Sequence, residues 1–173
     1  MEHEGRTGLR QRVFAWCYGR DSRIVENDTL NEHKRRLLGG LAGQVLEIGP
    51  GTGANFAYLP RSVQWTGIEP NLFMHDHLKA EARRLALNNL QLRTGTAEQT
   101  GIHDNSMDAV ISTHVLCSVD DQARALAEIR RVLKPGGRFV FIEHVAAPRG
   151  SSGRRAQSWM RPLWSFFGDG CHP

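Results

Sequence analysis

Residues 45–56, VLEIGPGTGANF, decide the fold, because an apolar run breaks here into three glycines at alternate positions. The run ends at Ile48, and Gly49, Gly51 and Gly53 follow it. Glycine lets the backbone adopt positive φ and approach a ligand with no side chain in the way. The stretch therefore predicts a buried strand followed by a ligand-binding loop, which we call the glycine turn (residues 49–53).

Two classes of ligand fit the glycine turn. The spacing Gly49-x-Gly51-x-x-Ala54 fits the turn that binds the pyrophosphate of a dinucleotide such as NAD. Glu47 favours S-adenosyl-L-methionine, because a carboxylate repels a pyrophosphate and attracts the ammonium and sulfonium charges of that cofactor. Pro50 points the same way, since proline has no N–H to donate to a phosphate. S-adenosyl-L-methionine is favoured, and the nicotinamide-dependent oxidoreductase remains the alternative.

Apolar runs alternate with helical patterns along the rest of the chain. The spacing predicts helices over 9–18, 28–38, 54–59, 72–87 and 121–133, and strands over 44–49, 63–69, 90–95, 107–113 and 137–145. Asp120 is the expected cap of the last helix, and Pro135 is its expected stop. This alternation is typical of an α/β fold in which helices cover both faces of a parallel sheet. Ligands of such sheets bind beyond the carboxyl ends of the strands.

The bulk composition excludes several classes of protein. The 173 residues suffice for one domain, and no apolar run reaches the roughly 20 residues of a membrane helix. The net charge of +4 comes from scattered basic residues, which predicts no nucleic-acid partner. Cys17, Cys117 and Cys171 are odd in number and far apart, which favours free thiols and a cytoplasmic location. The histidine and cysteine spacing predicts no metal site.

The chain changes character after Pro148. Residues 149–158 are basic and rich in small residues, as in a flexible linker, and residues 159–173 are dense in aromatic side chains. Three interpretations of the segment 159–167 stay open: packing onto the core, an apolar lid over a substrate pocket, or weak contact with a membrane surface.

In combination these motifs resemble the class I S-adenosyl-L-methionine-dependent methyltransferases. The resemblance runs through EIGPGTG (47–53), Glu69, GTAE (95–98), HDNSMDAVIS (103–112) and RVLKPGGRFVFIEH (131–144). It implies a Rossmann-like sheet of order 3-2-1-4-5 that an antiparallel hairpin would normally complete. No strand pattern follows Val145, so we expect that hairpin to be missing here. The implied regions are a helical cap (1–39), the cofactor-binding core (40–147), and the linker with the aromatic segment (148–173).

The resemblance also implies the site residues. The glycine turn and the strand ends would hold the cofactor through Glu47, Gly49, Gly51, Gly53, Asn55, Glu69, Pro70, Ala97, Glu98 and Thr113. His114 and His144 are the candidate bases or acceptor-positioning groups. Glu69 would accept hydrogen bonds from ribose hydroxyls, as it would for NAD.

GTGANF (51–56), VLCSVDD (115–121) and EHVAAP (143–148) narrow the resemblance to thiol S-methyltransferases of the methyltransferase-like group. Ubiquinone and menaquinone C-methyltransferases are the next most similar. A small-molecule acceptor, an apolar thiol, is therefore expected, with S-adenosyl-L-homocysteine as the product of the cofactor. A domain that binds the cofactor without catalysing transfer is the alternative. The oligomeric state is left open.

Overall fold

Five parallel strands form the centre of the molecule. The computed structural model describes residues 8, 11, 12, 15, 28–143, 145–155, 157 and 159. The strands are β1 (Gln44–Ile48), β2 (Gln64–Ile68), β3 (Leu90–Arg93), β4 (Met107–Thr113) and β5 (Leu133–Ile142). The α-helices described from end to end are α1 (Asp28–Leu38), α2 (Leu72–Arg84) and α3 (Gln122–Val132).

The strand order is β3-β2-β1-β4-β5, as the family resemblance implied. Strand β1 lies in the middle, with Val45 opposite Trp65 of β2 and opposite Ala109 of β4. Val45 and Leu46 are both fully buried although they point to opposite faces. The sheet is therefore covered on both sides, which explains why its central strands are continuous apolar runs rather than alternating ones.

Each face of the sheet has its own hydrophobic core. One core contains residues of α1 and α2, including Leu38, Leu78 and Ala82. The other contains the inward face of α3, with Ala125, Ile129 and Val132. The glycine turn, Glu69 and Glu143 follow the carboxyl ends of strands, and Thr113 is the last residue of β4. The topology thereby brings residues that are far apart in sequence to one rim.

Strand β4 matches its predicted range, whereas several other boundaries differ. The helix expected over 54–59 is only a 3-10 turn at Phe56–Tyr58. Helix α3 is capped by Asp121, whose side chain accepts from the Arg124 N–H, and the prediction of Asp120 was wrong. The helix ends at Val132 and β5 begins at the next residue, Leu133, so Pro135 lies inside β5. Strand β5 is at the edge of the sheet, where the missing N–H of a proline is tolerated.

Helix α2 begins at Leu72, where the predicted helix over 72–87 also begins. Met74, Leu78 and Ala82 are buried, while Leu72 is 60% exposed. Leu72 is the first residue of the helix, after the N-cap Asn71, whose side chain accepts from the Phe73 N–H. The buried side chains therefore lie four residues apart from Met74 onward, and the helix ends at Arg84, three residues before its predicted end.

The predictions near the two ends of the chain fall largely outside the described residues. In the stretch 9–18, Gln11, Arg12 and Ala15 are described and are helical. The aromatic segment is described only at Trp159, which is 86% exposed, and His144 is also outside the description. Among the described residues after β5 there is no further strand. No helix within the described part of the chain has the length and apolarity needed to cross a bilayer.

Candidate functional site

The three glycines of the glycine turn all have positive φ, at 56°, 56° and 85° for Gly49, Gly51 and Gly53. A Cβ atom on Gly49 would lie 2.6 Å from the Val115 side chain, and one on Gly53 would lie 2.7 Å from the Phe56 ring. A Cβ atom on Gly51 would meet nothing within 4 Å. Two of the glycines are therefore needed for packing, whereas Gly51 faces open space that a ligand can fill.

Glu47 lies beneath the glycine turn and is only 2% exposed. Its two carboxylate oxygens accept hydrogen bonds from Trp65 Nε1 and Asn55 Nδ2, each at 2.8 Å. Burial raises the pKa of Glu47 above its ordinary value, although both donors and the charge of Lys34 act in the opposite direction. Through these two bonds Glu47 connects β1 to β2 and to Asn55, which follows the glycine turn. Its contact with a cofactor stays a prediction.

Asn55 connects the glycine turn to the end of β4. Its Nδ2 group also donates to Thr113 Oγ1 at 3.0 Å. Asn55 is 3% exposed, and its Oδ1 atom has no hydrogen-bond partner among the residues that the structure describes. A buried acceptor without a partner is costly, and a ligand donor such as an ammonium group would satisfy it.

Glu69 holds the other side of the glycine turn. Its Oε2 atom accepts from Gly51 N at 3.0 Å, and its Oε1 atom accepts from Asn71 N at 2.8 Å. Glu69 thereby supports both the glycine turn and the segment that leads into α2. His75 of α2 donates from Nε2 to the backbone oxygen of Glu69 at 3.0 Å. Pro70 is exposed beside them.

Ala97 and Glu98 form a tight turn after β3, closed by the bond from Gln99 N to Thr96 O at 3.2 Å. The Glu98 carboxylate reaches the start of α3 and accepts from Asp120 N at 2.9 Å and Asp121 N at 3.2 Å. Partial burial opposes its ionisation, but hydrogen bonds hold the pKa of Glu98 below its ordinary value. The Glu98 side chain therefore connects two loops, and any adenine contact is left to the backbone of the turn.

His114 follows Thr113 at the end of β4 and has a φ of 58°, which is uncommon for a residue other than glycine. Its N–H donates to the backbone oxygen of Ile142 at 2.8 Å. The structure therefore brings His114 to the same rim as Asn55 and Glu69. His144 is outside the described residues, so its predicted role is not tested.

Three residues of this rim were missed by sequence reasoning. Trp65 donates to Glu47. Glu143 accepts from the Val115 N–H, in the segment after Thr113. Lys34 of α1 is 3% exposed, and its ammonium lies 5.4 Å from the centre of the Tyr58 ring. Of these three, only Lys34 could have been found from the sequence, since it stands four positions from both Leu30 and Leu38 on the face of α1 that packs inward.

In the described part of the chain, no three His, Cys, Asp or Glu side chains group as metal ligands would.

Comparison with known proteins gives a consistent result. A methyltransferase domain family matches residues 46–141. Thiol S-methyltransferase TMT1B of Rattus norvegicus is 41% identical over 140 residues, covering 78% of this chain and 57% of that protein. Thiol S-methyltransferase TMT1A of Homo sapiens is 38% identical over 160 residues, covering 86% of this chain and 65% of that protein. The chain thus spans less than two thirds of the length of these relatives.

A solved structure supports the same fold. The YcgJ protein of Bacillus subtilis superposes with a TM-score of 0.66 at 25% sequence identity, covering 79% of this chain and 57% of that one.

Proposed function

Because the chain belongs to the methyltransferase domain family, we propose that it binds S-adenosyl-L-methionine and transfers a methyl group to a small-molecule acceptor, an apolar thiol. The thiol is proposed because the relatives that match most of this chain are thiol S-methyltransferases. The C-methyltransferase UbiE of Desulfotalea psychrophila matches a smaller share, 59% of this chain.

The glycine turn is the observation that carries the proposal. Gly51 faces open space, and the buried Oδ1 of Asn55 is an acceptor in need of a donor. The carboxylates of Glu47 and Glu69 approach the turn from β1 and β2. This set of acceptors fits a ligand with an ammonium group and ribose hydroxyls, and it disfavours the phosphates of a nicotinamide dinucleotide.

Each residue has a proposed role in holding the cofactor. Glu69 accepts from the ribose hydroxyls, and Asn55 accepts from the ammonium group. The backbone around Gly49, Gly51 and Gly53 lies against the ligand, and Glu47 keeps Asn55 in place. The turn at Ala97–Glu98 and the side of Pro70 face the adenine, and Thr113 holds Asn55 from the end of β4.

Methyl transfer needs little chemical assistance from the protein, because the methyl group of S-adenosyl-L-methionine is bound to a sulfonium, which is already a good leaving group. A thiol reacts as its thiolate, and an ordinary thiol has a pKa of about 8.5. His114 is proposed to accept the thiol proton or to hold the acceptor, because a neutral imidazole can accept a proton near neutral pH. The rim residues contribute mainly by placing the two reactants next to each other.

The proposed location is the cytoplasm, which the odd number of cysteines supports. Trp159 is strongly exposed and stands at the start of the aromatic segment, which supports weak contact of residues 159–167 with an apolar surface.

Cofactor binding is tested first by thermal shift. We expect S-adenosyl-L-homocysteine to raise the midpoint of unfolding and NAD to leave it unchanged, whereas the reverse result would refute the cofactor assignment. Transfer is then tested with methyl-labelled cofactor and a panel of alkyl thiols, quinols and phenols. Labelling of the thiols supports the proposal. Binding of the product without labelling of any acceptor would favour the domain that binds but does not transfer.

The role of His114 has its own test. His114→Ala is expected to slow thiol methylation at saturating substrate while leaving the affinity for S-adenosyl-L-homocysteine within a factor of about three. Unchanged turnover would remove His114 from the chemistry.

A further inference from the structure

We propose that Glu143 is a positioning residue for the methyl acceptor. Its carboxylate holds residues 114–118, here called the acceptor turn, against the glycine turn, and thereby sets where the thiol can lie. This inference rests on the proposed function for its consequence, but its geometric part can be tested without turnover.

The Glu143 carboxylate accepts three hydrogen bonds. Ser112 Oγ donates to Glu143 Oε1, which also accepts from Val115 N at 3.2 Å. Leu116 N donates to Oε2, again at 3.2 Å. Two consecutive amides of the acceptor turn are therefore bound by the two oxygens of one side chain, which fixes the orientation of the turn as well as its distance.

The acceptor turn has a conformation that needs such support. His114 has positive φ, and only a favourable surrounding structure keeps a residue with a side chain there. Its N–H is bound by the Ile142 carbonyl at 2.8 Å, and the next N–H is bound by Glu143. The end of β5 thus holds the chain on both sides of the His114 α-carbon. The bond from Ser118 N to Val115 O at 2.8 Å closes the turn.

The same segment touches the glycine turn. The Val115 side chain is so close to Gly49 that a Cβ atom there would lie 2.6 Å from Val115 Cγ2. A shift of Val115 therefore opens or closes the space between the two turns. The glycine turn has its own supports in Glu69 and Asn55, so loss of Glu143 should move the acceptor turn and leave the cofactor turn in place.

Glu143→Gln tests the inference, because the amide keeps the size of the side chain and replaces an acceptor oxygen with a donor. Amide hydrogen exchange of the segment 112–120 is measured in the wild-type protein and in the variant. We expect exchange there to be at least tenfold faster in the variant, with the affinity for S-adenosyl-L-homocysteine changed by less than a factor of three. For thiol methylation, we expect kcat/KM to fall at least tenfold.

Glu128→Gln is the matched control, since Glu128 also accepts several hydrogen bonds but ties residue Thr100 to α3. It should lower stability without changing exchange at 112–120 or the KM for the thiol. Ser112→Ala removes one donor to Glu143 and should give an intermediate acceleration of exchange, which keeps the test available if Glu143→Gln does not fold.

Unchanged exchange at 112–120 in Glu143→Gln would overturn the inference, as would an equal loss of kcat/KM in Glu128→Gln. An equal loss of affinity for S-adenosyl-L-homocysteine and of kcat/KM would also overturn it, because Glu143 would then support the whole site. If the wild-type protein binds the product but methylates no acceptor, the proposed function fails, and the exchange result alone decides whether Glu143 holds the acceptor turn.

Discussion

Gly51→Ala separates the ligand-binding role of the glycine turn from its packing role. The φ of Gly51 is 56°, and a Cβ atom at this position would meet no protein atom within 4 Å. The new methyl group therefore causes no collision within the protein, and its structural cost is the strain of a left-handed backbone. It projects into the open space where we place the cofactor.

The two effects have different magnitudes and different readouts. Left-handed φ costs a residue with a side chain about 1–2 kcal/mol. For a chain of this size, that loss lowers the midpoint of thermal unfolding by roughly 2–8 °C. If the methyl group overlaps the bound cofactor, the affinity falls at least tenfold, which corresponds to about 1.4 kcal/mol of binding free energy.

Gly101→Ala provides the matched control. Gly101 also has positive φ, at 67°, and a Cβ atom there would likewise meet nothing within 4 Å. Gly101 is exposed and lies between β3 and β4, outside the glycine turn. Both variants should lose similar stability in thermal or urea unfolding, and only Gly51→Ala should lose affinity for S-adenosyl-L-homocysteine in isothermal titration calorimetry.

Two results would refute the reasoning. If Gly51→Ala binds S-adenosyl-L-homocysteine within a factor of two of the wild-type affinity, the space beside Gly51 does not hold the cofactor. If Gly101→Ala loses as much affinity as Gly51→Ala, the loss reflects general destabilisation and carries no information about the site.

Three further predictions concern the carboxylates. Glu69→Ala should weaken binding of S-adenosyl-L-homocysteine at least tenfold in calorimetry, and unchanged affinity would remove Glu69 from the ribose site. Trp65→Phe removes a hydrogen bond to the buried Glu47 carboxylate and should lower the free energy of unfolding in urea by about 1.5–3 kcal/mol. If Trp65→Phe costs as much in a Glu47→Gln background as in the wild-type protein, the result would contradict a contribution from that bond. Arg131 lowers the pKa of Glu128 to about 2, so the stability from this group is present above pH 4.5 and is lost as the pH falls towards 2. Because Arg131 is 35% exposed, we expect a loss of only about 1–2 kcal/mol, and Glu128→Gln should flatten the profile of unfolding free energy against pH.

The strands could be predicted from local patterns, whereas their order was implied by the family resemblance. The central strands β1 and β4 are short, largely apolar runs, as parallel sheets covered on both faces require. The rim at the carboxyl ends then follows from topology. Glu69 and Thr113 lie there as the sequence predicted.

Local pattern was misleading where a side chain has a partner elsewhere. The residues after Gly53 have helical character, yet the structure makes only a 3-10 turn, with Phe56 N bonded to Gly53 O at 3.0 Å. Asn55 is held by Glu47 and Thr113, and these bonds fix the backbone before a longer helix can start. Pro60 then prevents its continuation.

The missed contacts of the rim have the same cause. Trp65 and Glu47 are 18 positions apart, and Glu143 lies 28 positions from Val115. Strand register brings Trp65 and Glu47 together, because Glu47 stands opposite Gly67 and the Trp65 ring leans over that glycine. A single sequence has no local signal for such pairs, because each joins two segments that are distant in sequence.

The central position of β1 also constrains how the chain assembles during synthesis. The bond between Gly51 and Glu69 joins residues 18 positions apart and can form as soon as β2 has left the ribosome. The bond between Asn55 and Thr113 spans 58 positions and must wait for β4. Pairings between distant segments are slow to form and leave unpaired strand edges exposed in the meantime. The nascent chain therefore carries half of the proposed cofactor site well before it can complete the other half, and during that interval the free edge of β1 is the surface most in need of protection.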